Sequence, residues 1–318
     1  MALSLQEKIA DSNQGVYLIG TTPPKFGTDK AQLETIAQKL LARLHEIEYD
    51  GVIIYDIQDE SSRTAQPRPF PFKQTVDPRE YSHLLRDLSH LDVITYKSVA
   101  QRGAAEFSAW LSETKNDYNL NNLVLVGSPS SAGDIKLSLA DAYKTLAEQD
   151  NNVFLGGVTI AERHASKRNE HQRLIEKTAQ GCKFFISQAV YNPQATIDLI
   201  TSYARCCKVQ GTKPKRIILT FTPCGGEKTL EFMQWLGISV PDATKWRMLD
   251  ADNTLSESVR ICRENLDLIL QNCAHLGVPL GLNIESLTNR KEEIDASINL
   301  YRLLKAIMEL NLAEKQIA

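Results

Sequence analysis

Eight short apolar runs, each followed by an amphipathic stretch, constrain this chain more than any other feature. "VYLIG" (16 to 20) precedes a helical pattern over 28 to 47, where Leu33, Ile36, Leu40, Leu41 and Leu44 recur three and four residues apart. "GVIIYD" (51 to 56) precedes 78 to 91, "DVITY" (92 to 96) precedes 102 to 115, and "NLVLVG" (122 to 127) precedes 133 to 148. "VFLGGVT" (153 to 159) leads to 168 to 180, "KFFISQ" (183 to 188) to 194 to 207, and "RIILTFT" (216 to 222) to 227 to 236 and then 255 to 276. "PLGLNI" (279 to 284) leads to 290 to 313.

Strands apolar on both faces and separated by helices predict a parallel sheet, because parallel neighbours need crossover connections. Eight uninterrupted units favour a closed (β/α)8 TIM barrel over an open doubly wound sheet, and no Gly-x-Gly-x-x-Gly follows the first strand. The expected organisation is one α/β domain over residues 1 to 318, with an insertion around 237 to 253.

A formal net charge of -3, from 36 basic and 39 acidic residues, provides no global field for nucleic acid or an anionic membrane surface. No run reaches the roughly 18 apolar residues of a membrane span, and the amino terminus lacks the pattern of a secretory signal. Six cysteines form no Cys-x-x-Cys pair, which suits packed thiols in a reducing cytoplasm rather than zinc or disulfides. The oligomeric state stays open, a homo-oligomer included.

Barrels of this kind gather reactive groups at the carboxyl ends of their strands. Those ends here carry Thr21 and Thr22, Tyr55 and Asp56, Thr95 and Tyr96, Gly127 and Ser128, Thr159, Ser187 and Gln188, Thr220 and Thr222, and Asn283 and Glu285. Hydroxyls and amides predominate, which suits hydrogen bonding to a neutral heterocycle. Gln188 offers a donor and an acceptor together for such an edge, or else satisfies neighbouring loop backbone.

"KTAQGCKFFISQAVYN" (177 to 192) resembles a segment of the methylenetetrahydrofolate reductase family, in which a lysine, Asp-Ala-Gly-Ala, a strand and Thr-Gln follow in order. "TTPPKFG" (21 to 27) resembles that family's Pro-Pro loop, and "LNIESLTNRKE" (282 to 292) its terminal Leu-Asn-Arg stretch. The resemblance implies the same barrel and an FAD-dependent oxidoreductase of one-carbon folate metabolism. In such an enzyme NAD(P)H reduces the flavin, which passes hydride to a methylene-folate. It implies that Gln188 contacts the pterin, with Tyr191 and Arg290 near the folate. His164, Glu170 and Lys177 would lie beside FAD, with Ser128 and Tyr55 joining the cofactor set from their strand ends.

Two departures weigh against this. Where the family has a general-acid glutamate after its first strand, "LIGTTPP" places Gly20; where it has a flavin-tuning Arg-Gly-Asp, this chain has Val126, Gly127 and Ser128. General-acid help is typically worth about 100 to 10,000-fold, so another carboxylate would have to serve. Asp56 is the leading substitute, ahead of Glu162 and Glu285, although it would equally cap a loop or pair with Arg63. The alternative is a redox-inactive relative that binds folate or pterin, or takes part in methyl transfer with a partner. An unrelated barrel aldolase or lyase is disfavoured because the apolar runs end without a lysine suited to a Schiff base.

Two further segments have dual readings. "FTPCGGEKT" (221 to 229) is an anion nest or a tight turn, its Cys224 lacking a histidine partner, and "RTAQPRPFPF" (63 to 72) is a lid bringing Arg63 and Arg68 to a ligand or a stiff surface loop.

Overall fold

The computed structural model describes residues 3 to 60, 64 to 128, 135 to 149 and 152 to 317. Eight strands follow in chain order: β1 (Tyr17–Thr21), β2 (Gly51–Ile54), β3 (Asp92–Ser98), β4 (Asn122–Val126), β5 (Phe154–Thr159), β6 (Phe184–Ala189), β7 (Arg216–Phe221) and β8 (Leu280–Glu285). They hydrogen-bond in that order as a closed barrel, as the run of eight apolar segments requires. The helices are α1 (Leu5–Ala10), α2 (Lys30–Leu44), α3 (Pro78–Ser89), α4 (Ala104–Asn116), α5 (Leu139–Glu148), α6 (Ala161–Lys167), α7 (Glu170–Ala179), α8 (Pro193–Gln210), α9 (Glu227–Trp235), α10 (Asp242–Leu249), α11 (Thr254–Cys273) and α12 (Lys291–Ile317). The segment read as an insertion contains α10, while α1 and α6 have no counterpart in the periodicity.

Helix starts are encoded locally. The side chains of Asp29, Asp77, Ser138, Asn192 and Asn253 accept backbone N–H bonds at the starts of α2, α3, α5, α8 and α11, and proline opens α3 and α8. Each cap accounts for an amide that the first helical turn cannot satisfy.

By internal contacts the chain divides into two compact units. The first comprises residues 1 to 18, 159 to 178 and 184 to 318; the second comprises 19 to 158 and 179 to 183. In the second, Leu33 and Ala37 of α2, Val52 and Ile54 of β2, and Tyr81 and Leu85 of α3 form one buried cluster. Truncating Leu85 to alanine there would cost about 2–5 kcal/mol. β3 continues two residues past the apolar run, pairing Lys97 with Leu125 and Ser98 with Val126. Backbone pairing therefore carries a lysine to the strand end.

In the first unit, Arg216 opens β7 and is 1% exposed. Its guanidinium donates to the carbonyls of Lys8, Ile9, Asp11 and Leu280, tying the end of α1 to β8. The pairing of β6 with β7 shifts register between Ile186 and Ala189. Such a bulge turns side chains out of the regular alternation, which is why an apolar strand ends in Ser187 and Gln188. Among the described residues no helix is long and apolar enough to cross a membrane, and no cluster of His, Cys, Asp or Glu could hold a metal ion.

Candidate functional site

The ends of β5 and β6 place polar groups together in the first unit. Thr159, Glu162, Ser187, Gln188 and Asn192 line a pocket of about 10 Å³. That is room for roughly one water, so the pocket is a polar recess and not a complete ligand cavity. The Ser187 hydroxyl accepts from the Thr220 amide at 2.9 Å and donates to the Gln188 carbonyl at 2.7 Å, bracing the bulge. The Gln188 Nε2 donates to the Leu236 carbonyl at 3.0 Å, while no hydrogen bond reaches its amide oxygen among the described residues. The donor of Gln188 thus holds a loop, one of its two sequence readings, while its amide oxygen has no protein partner among the described residues.

Glu162 and Thr159 sharpen this recess. The Glu162 Oε1 accepts from the Ser239 amide at 3.1 Å, whereas its Oε2 and the Thr159 hydroxyl, both buried, have no partner. Burial raises the Glu162 carboxyl above its usual 4.5, opposed by the Ser239 amide bond. Glu162 thus favours its protonated form more than an exposed glutamate does, and is the group here best able to hold a proton. It stood only among the secondary carboxylates in the sequence, because α6, which carries it, left no periodic signal.

The residues assigned to a flavin pack differently. His164, Glu170 and Lys177 are 1%, 0% and 5% exposed. The Glu170 carboxylate accepts from the Ile160 amide and Arg163, both at 3.1 Å, and pairs with Arg173 at 3.5 Å, so it fastens α6 to α7. The His164 ring lies edge-on to His171 with centroids 5.2 Å apart, and neither His164 nitrogen has a partner. Burial and the neighbouring His171 and Arg168 hold it below its usual 6.5. As packed, these three side chains do not fit an open cradle for a dinucleotide. Tyr191 must also be corrected as a substrate contact: it is 0% exposed and donates its hydroxyl to the Thr222 carbonyl at 2.8 Å. Arg290 is half exposed and lines another pocket with Glu293.

The strand ends of the second unit carry an ion pair and an aromatic pair. Asp56 and Lys97 meet at 3.1 Å with side chains 6% and 5% exposed. Asp56 also accepts from the Ser98 amide at 2.8 Å and from Gln58 at 2.7 Å. Held by three donors, this carboxylate braces the loop; its expected alternative partner, Arg63, lies outside the described residues. The absence of a strand-end lysine is likewise corrected by Lys97, which the continued pairing of β3 would have flagged. Its ammonium is tied to Asp56 and stands 5.3 Å from the Trp110 ring centroid, which does not suit an amine nucleophile.

Tyr55 stacks edge-on with Tyr96 at 4.9 Å between centroids. A Cβ built on Gly20 would lie 2.7 Å from the Tyr55 hydroxyl oxygen and 2.9 Å from its ring. The position where the resemblance expects a glutamate is thus filled by the tyrosine that follows the next strand. Ser128 is half buried just beyond β4. Cys224 is a packed thiol, pushed up to about 11 by burial, in keeping with the reading that gave it no nucleophilic role.

Among solved structures, an uncharacterized protein from Clostridium thermocellum that binds two copies of 5-methyl-5,6,7,8-tetrahydrofolic acid is 36% identical, with a TM-score of 0.81 over 95% of this chain and 99% of that one. This chain belongs to the same family as that protein. An EDTA monooxygenase from Chelativorans sp. BNC1, 8% identical with a TM-score of 0.51 over 94% of this chain and 95% of that one, shares the fold alone. No protein-family model and no curated protein matches the sequence.

Proposed function

We propose that this protein binds a reduced folate of the 5-methyltetrahydrofolate class and serves as a folate-binding or methyl-transferring protein working with a partner. The observation that carries the reading is the 36% identity, over 95% of the chain, to a protein that binds 5-methyltetrahydrofolic acid. Gly20 and Tyr55 support the non-redox half of the proposal. Position 20 lacks the carboxylate that a methylene-folate reductase would use, and a Cβ there would meet Tyr55 as it is packed.

Gln188 would accept an N–H from the pterin, its orientation set by the bond to Leu236. Glu162 would hold a proton at the same strand ends. That matters because a nucleophile supplied by the partner takes a methyl group from a ring amine readily only when that nitrogen is protonated, the N–C bond breaking as the new bond forms and the folate leaving as the neutral amine.

Titration calorimetry with 5-methyltetrahydrofolate is the direct test. Binding in the wild type, weakened about tenfold in Gln188→Ala, is the expected result; no heat of binding at all sinks the reading. The competing reductase requires FAD and NAD(P)H. A yellow flavin spectrum, with FAD-dependent oxidation of NAD(P)H by menadione, would decide in its favour.

A further inference from the structure

The first unit contains a second pocket, built from the loop after β7 and the beginnings of α11 and α12. Gly225, Asn253, Thr254, Arg290, Glu292 and Glu293 line about 350 Å³. That volume lies within the range of small-ligand sites.

Its central group is Glu293, whose side chain is 2% exposed. One carboxylate oxygen, Oε1, accepts from the Thr229 hydroxyl at 2.9 Å and stands 3.9 Å from Arg290 Nη1. The other, Oε2, is buried without a hydrogen-bond partner. Leaving such an acceptor unmet is costly, and a donor from a ligand would recover that cost. The surrounding backbone accommodates the group: a Cβ on Gly225 would lie 2.3 Å from Oε1 and 2.8 Å from Cδ. A side chain at position 225 would therefore evict the carboxylate.

Charge decides what kind of ligand fits. Loops following the seventh and eighth strands often hold phosphate, but here one arginine faces two glutamates, so a free anion is disfavoured. The arrangement instead sets an unmet acceptor beside the half-exposed Arg290 guanidinium. A 2-amino-4-oxopyrimidine ring presents the complement along one edge: two adjacent N–H groups for a carboxylate and then a carbonyl oxygen for a guanidinium.

We propose that this pocket is a distinct site for such a ring, with Glu293 receiving its N–H pair and Arg290 its carbonyl. Resting on the folate reading, it assigns the pocket to the pterin of a second folate molecule. A guanine base offers the same edge and is the other source of this chemistry.

The test is calorimetric stoichiometry with 5-methyltetrahydrofolate on the full chain. Wild type should bind two molecules per chain, and Glu293→Gln one, with melting temperature measured alongside to confirm folding. Arg290→Ala, an exposed change that should not disturb folding, should weaken the same event about tenfold. Two unchanged events in both variants overturn the proposal. One event in the wild type, weakened in Gln188→Ala and unchanged in Glu293→Gln, overturns it and leaves the folate reading standing; no event overturns both. Guanosine monophosphate separates the sources: a Glu293-dependent event seen only with the nucleotide overturns the pterin assignment, and one seen only with the folate supports it.

Discussion

Replacing Lys97 with methionine tests whether the Asp56–Lys97 pair is a brace or a catalytic element. The pair is nearly inaccessible, with side chains 5% and 6% exposed and 3.1 Å between charged atoms. Removing one partner of a buried pair typically costs about 3–5 kcal/mol, because the remaining charge stays desolvated. Here Asp56 keeps two donors, the Ser98 amide at 2.8 Å and Gln58 at 2.7 Å, so the lower end, about 3 kcal/mol, is expected. At roughly 2–4 °C per kcal/mol, the melting temperature should fall by roughly 6–12 °C. Equilibrium urea unfolding at pH 7 would measure the loss directly. Combining Lys97→Met with Asp56→Asn removes both charges, so the double variant should be more stable than the sum of the single losses by at least about 1 kcal/mol. A Lys97→Met protein within about 0.5 kcal/mol of wild type, or a strictly additive double variant, would refute the brace.

Other consequences follow from the buried polar groups. His164 has its ring held below its usual 6.5, so it adds stability above that pH that is lost as pH falls through the lowered value. His164→Gln should flatten the decline in urea midpoint between about pH 7 and 5. Glu162 has the opposite sign: its raised carboxyl favours the fold below the usual 4.5, and that benefit disappears as pH rises through the raised value. Glu162→Gln should therefore be more stable than wild type at pH 7 and converge with it near pH 4, as read by thermal melts. Arg216→Met leaves four carbonyls without their donor and should cost at least about 3 kcal/mol. Hydrogen exchange across residues 5 to 10 should accelerate with it.

The barrel was legible because its signal repeats. Each run such as "NLVLV" or "RIILTF" is too apolar for an edge strand, and the intervening heptad-like spacings admit only helices. The strand ends were less legible. Nothing in "DVITYKS" says that pairing continues through Lys97, because a lysine interrupts the apolar pattern while the backbone ladder ignores side-chain polarity. Tyr191 misled for the converse reason: the resemblance puts it near the folate, yet a single carbonyl acceptor allows it to be fully buried. Glu293 was invisible as a site residue, since its environment comes from Gly225 and Thr229, more than sixty positions away.

The tyrosine lodged against Gly20 also bears on how this lineage can change. Placing an acidic side chain there by one substitution would bring its Cβ within 3 Å of the Tyr55 hydroxyl and ring, so the tyrosine would first have to be displaced. Residue 55 would have to swing aside or shrink, a change with no catalytic reward of its own. Positions 20 and 55 are therefore coupled through space.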